Sequence, residues 1–298
     1  MTAGTGRHAT PAEKSLNRRP RPALSTAGTT LFLAVFAGYF LVPIWWLLMA
    51  ATKTRGELIT SPGLWFSGSF HLTENLIDTF SRDGGIYLRW LLNSALYAGV
   101  GAAFGTLFAT MAGYALAKYV FPWREATFNV VLAGVLVPAT ALALPLFLMF
   151  SRIDAVDTYW SVLLPSMVSP FGVYLARIYA AGGVPDELLE AARLDGASEL
   201  RTFFTVSVRL MAPALVTIFL FQFVAVWNNF FLPLIMLQNQ DLYPVTLGLY
   251  IWNSQITQAP ELQMMLIVGA LVSILPLIVA FVGLQRFWRS GLTAGAVK

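Results

Sequence analysis

The chain has 298 residues, 57% of them hydrophobic and 11% charged, with a formal net charge of +4 and no cysteine. That balance excludes an ordinary soluble domain and marks a polytopic membrane protein. The missing cysteine excludes a disulfide framework, a thiolate metal site and a cysteine nucleophile, and the positive surplus is spread along the chain rather than gathered into a nucleic-acid-binding patch.

Met1 to Thr29 carries Arg7, Lys14, Arg18, Arg19 and Arg21 among Pro, Thr, Ala and Gly, the composition of a basic disordered tail. Its Gly4-Thr5-Gly6-Arg7-His8-Ala9 matches the dinucleotide fingerprint formally, but no strand precedes it and no helix follows, so the match is rejected. His8 and His71 lie in a polar tail and a loop and read as solvated side chains rather than ligands. Leu31 to Ala51 is an uncharged run of 21 residues, too long for the core of a cleavable signal peptide, and predicts a retained first span.

Five further uncharged runs follow: Trp90 to Ala117, Ala126 to Ser151, Thr158 to Ala176, Leu210 to Gln240 and Leu262 to Gln285. Each can cross a hydrocarbon layer of about 30 Å at about 1.5 Å per residue. The expected architecture is therefore all-α, with six transmembrane helices at about 31–51, 90–117, 126–151, 158–180, 210–238 and 262–285 inside a permease domain of 30–288, and a short tail at 289–298. A segment from Thr52 to Arg89 is expected to hold interfacial helices, including Leu72 to Phe80. A seventh uncharged stretch, Leu242 to Pro260, carries prolines and amides that fit a re-entrant or interfacial segment better than a lipid-facing helix. In this layout 14 of the 19 Lys and Arg residues fall on the side of the tail, which puts both termini and the polar segment after Pro185 in the cytoplasm.

The six runs contain no ionisable residue, so a proton-coupled carrier lacks the group that would bear its proton. No G-x-x-x-x-G-K-[ST], H-E-x-x-H or G-x-S-x-G is present, which argues against nucleotide binding, metalloprotease and hydrolase chemistry on this chain. What lies at depth is amide and aromatic: Asn93 opens the second span, and Gln222, Phe223, Trp227, Asn228, Asn229, Phe230 and Phe231 fall in the fifth. Burying unpaired amides in hydrocarbon costs several kcal/mol, so these residues should face the bundle or a cavity. They either bond neighbouring helices or line a path for a neutral, hydroxyl-rich solute. The small residues Gly101-Ala102-Ala103-Phe104-Gly105 suit close helix packing.

The long polar helical segment between two of these runs is Pro185 to Pro213. Pro185 suits a first turn, Asp186, Glu187 and Glu190 complement the positive end of the helix dipole, and Asp195-Gly196 predicts a sharp turn into a second short helix near Ala197, capped by Asp195. Its apolar surface is Leu188, Leu189, Ala191, Ala192 and Leu194. Such a segment either lies on lipid headgroups or docks a partner, and its acidity suits an anionic lipid surface poorly.

Glu190-Ala191-Ala192, Asp195-Gly196-Ala197 and Pro213-Ala214-Leu215 resemble the EAA loop of ABC-importer permeases, the helical knob that enters a cleft on the ATPase subunit. The exit of the second span, Ala112 to Tyr119 with Phe121-Pro122, and Trp227-Asn228 with Pro233-Leu234 resemble the carbohydrate-uptake branch, and Arg289 to Lys298 resembles the C-terminus of the shorter maltose-type permease, where the family's tail reaches the ATPases. Arg209 stands where that branch carries a further proline. The resemblance covers Leu31 to Lys298.

It implies a permease subunit that is not itself an enzyme, located in a prokaryotic plasma membrane and moving a sugar by alternating access. The implied partners are a homologous, non-identical permease, two ATPase subunits that hold ATP and Mg, and an external solute-binding protein. No cofactor or metal sits on this chain. Glu190, Ala191, Ala192, Asp195, Gly196, Ala197, Leu200 and Phe203 become the ATPase-docking set, and Gln222, Trp227, Asn228, Asn229 and Asn93 the candidate substrate pathway. The competing expectations are an ion-coupled secondary carrier acting alone, a membrane scaffold, and a permease for a glycerol phosphodiester.

Overall fold

The computed structural model describes residues 23–294, with side chains described from 27 to 285 and at 287. The dinucleotide-like match and most of the basic tail lie outside these residues. Among them every regular element is helical. In chain order these are α1 (Ala23–Ala51), α2 (Glu57–Thr60), α3 (Leu72–Ser81), α4 (Ile86–Lys118), α5 (Arg124–Val135), α6 (Ala139–Ser151), α7 (Tyr159–Ser166), α8 (Pro170–Gly183), α9 (Asp186–Leu194), α10 (Glu199–Thr202), α11 (Val208–Leu210), α12 (Ala212–Trp227), α13 (Phe231–Met236), α14 (Val245–Gln255) and α15 (Leu262–Ala294). Among the described residues, those up to Trp45 form one compact unit and those from Trp46 onward another.

Four stretches are long and apolar enough to cross a membrane: Ala27–Ala51, Ile86–Lys118, Tyr159–Gly183 and Leu262–Gln285. The remaining expected spans are bent. The run 126–151 is not one straight helix: α5 and α6 meet at 102°, because Pro138 takes an extended backbone with ψ 130° and cannot continue the helix before it. The fifth run is likewise interrupted. Its helix α12 ends at Trp227, and α13 begins after three intervening residues, so 210–238 is a broken element rather than a continuous helix. Helix α1 begins at Ala23, eight residues before Leu31, and α15 runs to Ala294, into the segment expected as a C-terminal tail. The interfacial helix expected at Leu72 to Phe80 corresponds to α3.

Close approach of backbones organises the bundle around α4. A Cβ added to Gly113 would lie 2.5 Å from the Ala176 Cβ of α8, and one added to Gly172 of α8 would lie 2.9 Å from the Ala109 Cβ of α4. Gly101 meets Ser166 and Gly105 meets Gln222, so the small residues of the second span serve packing. Apolar side chains gather into three clusters among the described residues. One surrounds Tyr87, Trp90, Trp227, Val245 and Trp252. Another holds Tyr114, Ala176, Leu189, Phe203 and Met211, and a third joins Ala50 and Ala51 to Met264 and Val268.

Candidate functional site

The polar segment folds into a helix pair whose turn is built by backbone bonds. Asp195 stands at the C-cap of α9, and Gly196 follows with φ +77°, a left-handed conformation that a residue with a Cβ adopts at a cost. The Ala197 N–H donates to Ala192 O at 2.9 Å and the Gly196 N–H to Arg193 O at 3.0 Å. These two bonds are those of a Schellman motif, which satisfies the last carbonyls of the helix. The second helix is capped by Ser198, whose hydroxyl accepts from the Arg201 N–H, and not by Asp195. Serine does this because its short side chain reaches back to the third residue on, whereas Asp195 is still inside the turn of α9. Pro185 is itself the N-cap of α9, with extended ψ 135°, one position before the first turn.

The pair presents two faces. Leu189 is buried with Val184, Tyr114 and Phe203 in the second cluster, and burial of one leucine side chain contributes about 1.5–3 kcal/mol. Phe203, expected in the docking set, is 4% exposed with its ring 5.1 Å from that of Tyr114, so it anchors the pair to its own chain. Leu194 and Leu200 point the other way, 89% and 64% exposed, together with Leu188. Glu190, Ala191, Asp195 and Gly196 are exposed, and Ala192 and Ala197 are half-buried at the turn.

Polar ties fix this presentation. Lys118, at the last turn of α4, reaches Asp186 at 2.7 Å. The Tyr119 hydroxyl donates to Glu199 at 2.7 Å, and Glu199 also accepts from Arg193 at 2.8 Å. Sequence reasoning missed these anchors. The signal available was the basic residue closing α4, where a cation complements the negative helix end.

The pathway amides separate into clamps and surface. The Asn93 side chain donates to Asp241 O at 2.8 Å and Tyr243 O at 3.0 Å and accepts from the Tyr159 hydroxyl. It is one of a row on α4: the Trp90 indole donates to Gln240 O, the Tyr97 hydroxyl to Leu242 O, and the Ser94 hydroxyl accepts the Val245 N–H. Positions spaced by three and four lie on one helix face, so the row grips residues 240–245 as an irregular strap. Asp157, with φ +60°, completes the hold, its carboxylate accepting the N–H groups of Gln238 and Asn239 at 2.8 and 2.9 Å.

Gln222 donates to Ser166 O at 2.8 Å and joins α12 to the end of α7. Trp227 is buried and stacked on Phe223. Asn229 accepts the Leu232 N–H, while its carbonyl accepts from the Thr246 hydroxyl. Asn228, at the break between α12 and α13, is exposed. Asn93 and Gln222 thus bond to backbone carbonyls of other elements, Trp227 packs in the core, and Asn229 bonds at the break beside the exposed Asn228. Among the described residues no group of three or more metal-ligating side chains comes together.

The family profile described as "Binding-protein-dependent transport system inner membrane component" matches residues 105–292. The arabinooligosaccharides transport system permease protein AraQ of Halalkalibacterium halodurans is 34% identical over 284 residues, 95% of this chain and 100% of that protein. The lactose transport system permease protein LacG of Rhizobium radiobacter is 30% identical over 91% of this chain and 94% of its own length. In fold, the chain is similar to one from the crystal structure of a bacterial ABC transporter involved in import of the acidic polysaccharide alginate, with a TM-score of 0.77, 21% identity and coverage of 94% and 100%. A bundle of apolar helices with a built, outward-facing helix pair is thus matched along nearly its whole length, and the chain belongs to the inner-membrane permease components of binding-protein-dependent transport systems.

Proposed function

We propose that this chain forms half of the translocation pathway of an ABC importer for a sugar or sugar derivative, and that α9 and α10 are the handle gripped by a separate ATPase. The observation that carries this reading is the two-faced helix pair. Leu189 and Phe203 pin it to the chain while Leu188, Leu194 and Leu200 are left bare beside a Gly196 turn. A solvated loop has no use for three exposed leucines on a polar helix pair, whereas a protein cleft does.

In the mechanism, nucleotide closes the ATPase dimer, the handles of two permease chains move together, and the central cavity turns from one side of the membrane to the other. Hydrolysis resets it. Glu190, Ala191, Ala192, Asp195 and Gly196 transmit force by fit and make no bonds to a reacting atom. The handle and both termini are assigned to the cytoplasm because 14 of the 19 basic residues lie on that side. The external partner is a solute-binding protein, in keeping with the family's description. An oligosaccharide is favoured as cargo by the names of the relatives.

The experiment is Gly196→Val in the assembled transporter, assayed for uptake of labelled arabino- and galacto-oligosaccharides and for substrate-stimulated ATP hydrolysis. Membrane levels should stay near normal while both activities fall to background. Wild-type stimulation in that variant would remove the handle from the mechanism, and loss of ATPase coupling without uptake of either sugar by the parent would remove only the cargo assignment.

A further inference from the structure

The segment that follows α1 is built inside out. Residues 58–70 contain no ionisable side chain. The hydroxyls among them are bonded locally: Thr60 donates to Gly56 O, Ser61 to Glu57 O at 2.6 Å, Ser67 to Ser69 O, and Ser69 to the Glu57 carboxylate. Lys53, 1% exposed, turns its ammonium inward onto Pro62 O. The large apolar side chains point out instead, with Ile59 86%, Trp65 64% and Phe70 59% exposed, and Leu64 and Phe66 beside them. Trp65, Phe66 and Phe70 are linked ring to ring. A loop in water arranges these groups the other way round.

Its depth is marked by Trp46. A Cβ on Gly63 would lie 3.8 Å from the Trp46 Nε1, so the segment folds back beside α1 instead of rising away from it. Trp46 precedes the last residue of α1 by five positions, about 7–8 Å at the helical rise. Amphipathic elements at a bilayer surface seat their apolar side at about 5–10 Å into the headgroup and acyl boundary, and Trp favours that zone.

We infer that residues 56–70 form a foot seated in the headgroup and acyl boundary of the leaflet where α1 ends, with lipid as the partner of Ile59, Leu64, Trp65, Phe66 and Phe70. The return toward a span, over a stretch from 58 to 70 that carries no ionisable side chain, favours lipid over a docked protein. The foot fixes how deep the last turn of α1 sits. It needs only that α1 crosses a membrane, so it stands or falls apart from the identity of the cargo.

The absence of cysteine makes the test direct. Ile59→Cys, Trp65→Cys and Phe70→Cys are each labelled with a nitroxide in the full chain, reconstituted in phosphatidylethanolamine and phosphatidylglycerol vesicles. Collision with oxygen is compared with collision with a water-soluble nickel chelate, and Glu74→Cys on the exposed side of α3 serves as the aqueous reference. The oxygen-to-nickel ratio should be several-fold higher at the three foot positions than at 74. Ratios equal to that reference place the foot in water, and poor access to both reagents places it under protein; either result overturns the inference.

Discussion

The strap at 240–245 and the helix pair α9–α10 are both irregular excursions from the bundle, and they are held in opposite ways. The strap is gripped by buried neutral donors, Trp90, Asn93 and Tyr97, aimed at backbone carbonyls, with the Ser94 hydroxyl taking a backbone N–H. Gly248 just beyond it is pressed against the face of Trp90. The helix pair is held by ion pairs and hydrogen bonds in partly exposed positions, Lys118 with Asp186 and Tyr119 and Arg193 with Glu199, and keeps three leucines uncovered. Neutral bonds in a dry core are stiff and specify one arrangement. Exposed charged ties are worth little each and can be exchanged. A platform and a handle are thus built from different chemistry.

That contrast can be broken by substitution. Gly248→Val should have the largest effect, since its Cβ would fall well inside van der Waals contact with the Trp90 ring; a cost of about 3 kcal/mol or more is expected, read as loss of folded protein from the membrane. Asn93→Leu leaves the carbonyls of Asp241 and Tyr243 and the Tyr159 hydroxyl without their partner. It should cost about 2 kcal/mol, seen as a lower thermal unfolding midpoint in detergent with uptake per surviving molecule little changed. Lys118→Ala should lower stability by about 0.5–1 kcal/mol, a deficit that shrinks in the parent as salt is raised. Leu194→Ser, at a side chain 89% exposed, should leave the midpoint unmoved and still reduce uptake and stimulated hydrolysis. If Leu194→Ser lowers stability and spares uptake while Asn93→Leu does the reverse, platform and handle have been assigned the wrong way round.

The helix pair was legible because its signals are local. Acidic residues in a first turn, and a glycine after the last, define a helix end within the span of a few residues, and the Gly196 turn followed from them. The cap passed to Ser198 because two candidate capping residues stood within three positions, and only the backbone geometry chooses between them. The strap was not legible. Asn93 and Tyr243 are 150 residues apart, and hydrophobic periodicity tells which face of α4 is apolar but not what lies against it.

For the same reason the bonds that the amides of Asn93 and Gln222 make to distant carbonyls could not be read from the sequence. The bend of 102° at Pro138 hid in an uncharged run because a run measures length and says nothing of direction. The run holds two prolines, Pro138 at the bend and Pro145 inside α6, so proline alone did not mark which would break it.

Helix α4 touches both regions: Trp90, Asn93, Ser94 and Tyr97 at one end grip the strap, while Tyr114, Lys118 and Tyr119 at and just beyond the other end contact the helix pair. It runs unbroken from Ile86 to Lys118 with no proline inside, so those ends are about 42 Å apart at the helical rise. Along the half nearer the handle it is splinted to α8, where the glycine contacts leave no room for one to slide past the other. A displacement delivered at Lys118 would meet no proline or helix break before Trp90, and would reach the strap as a tilt of the whole helix.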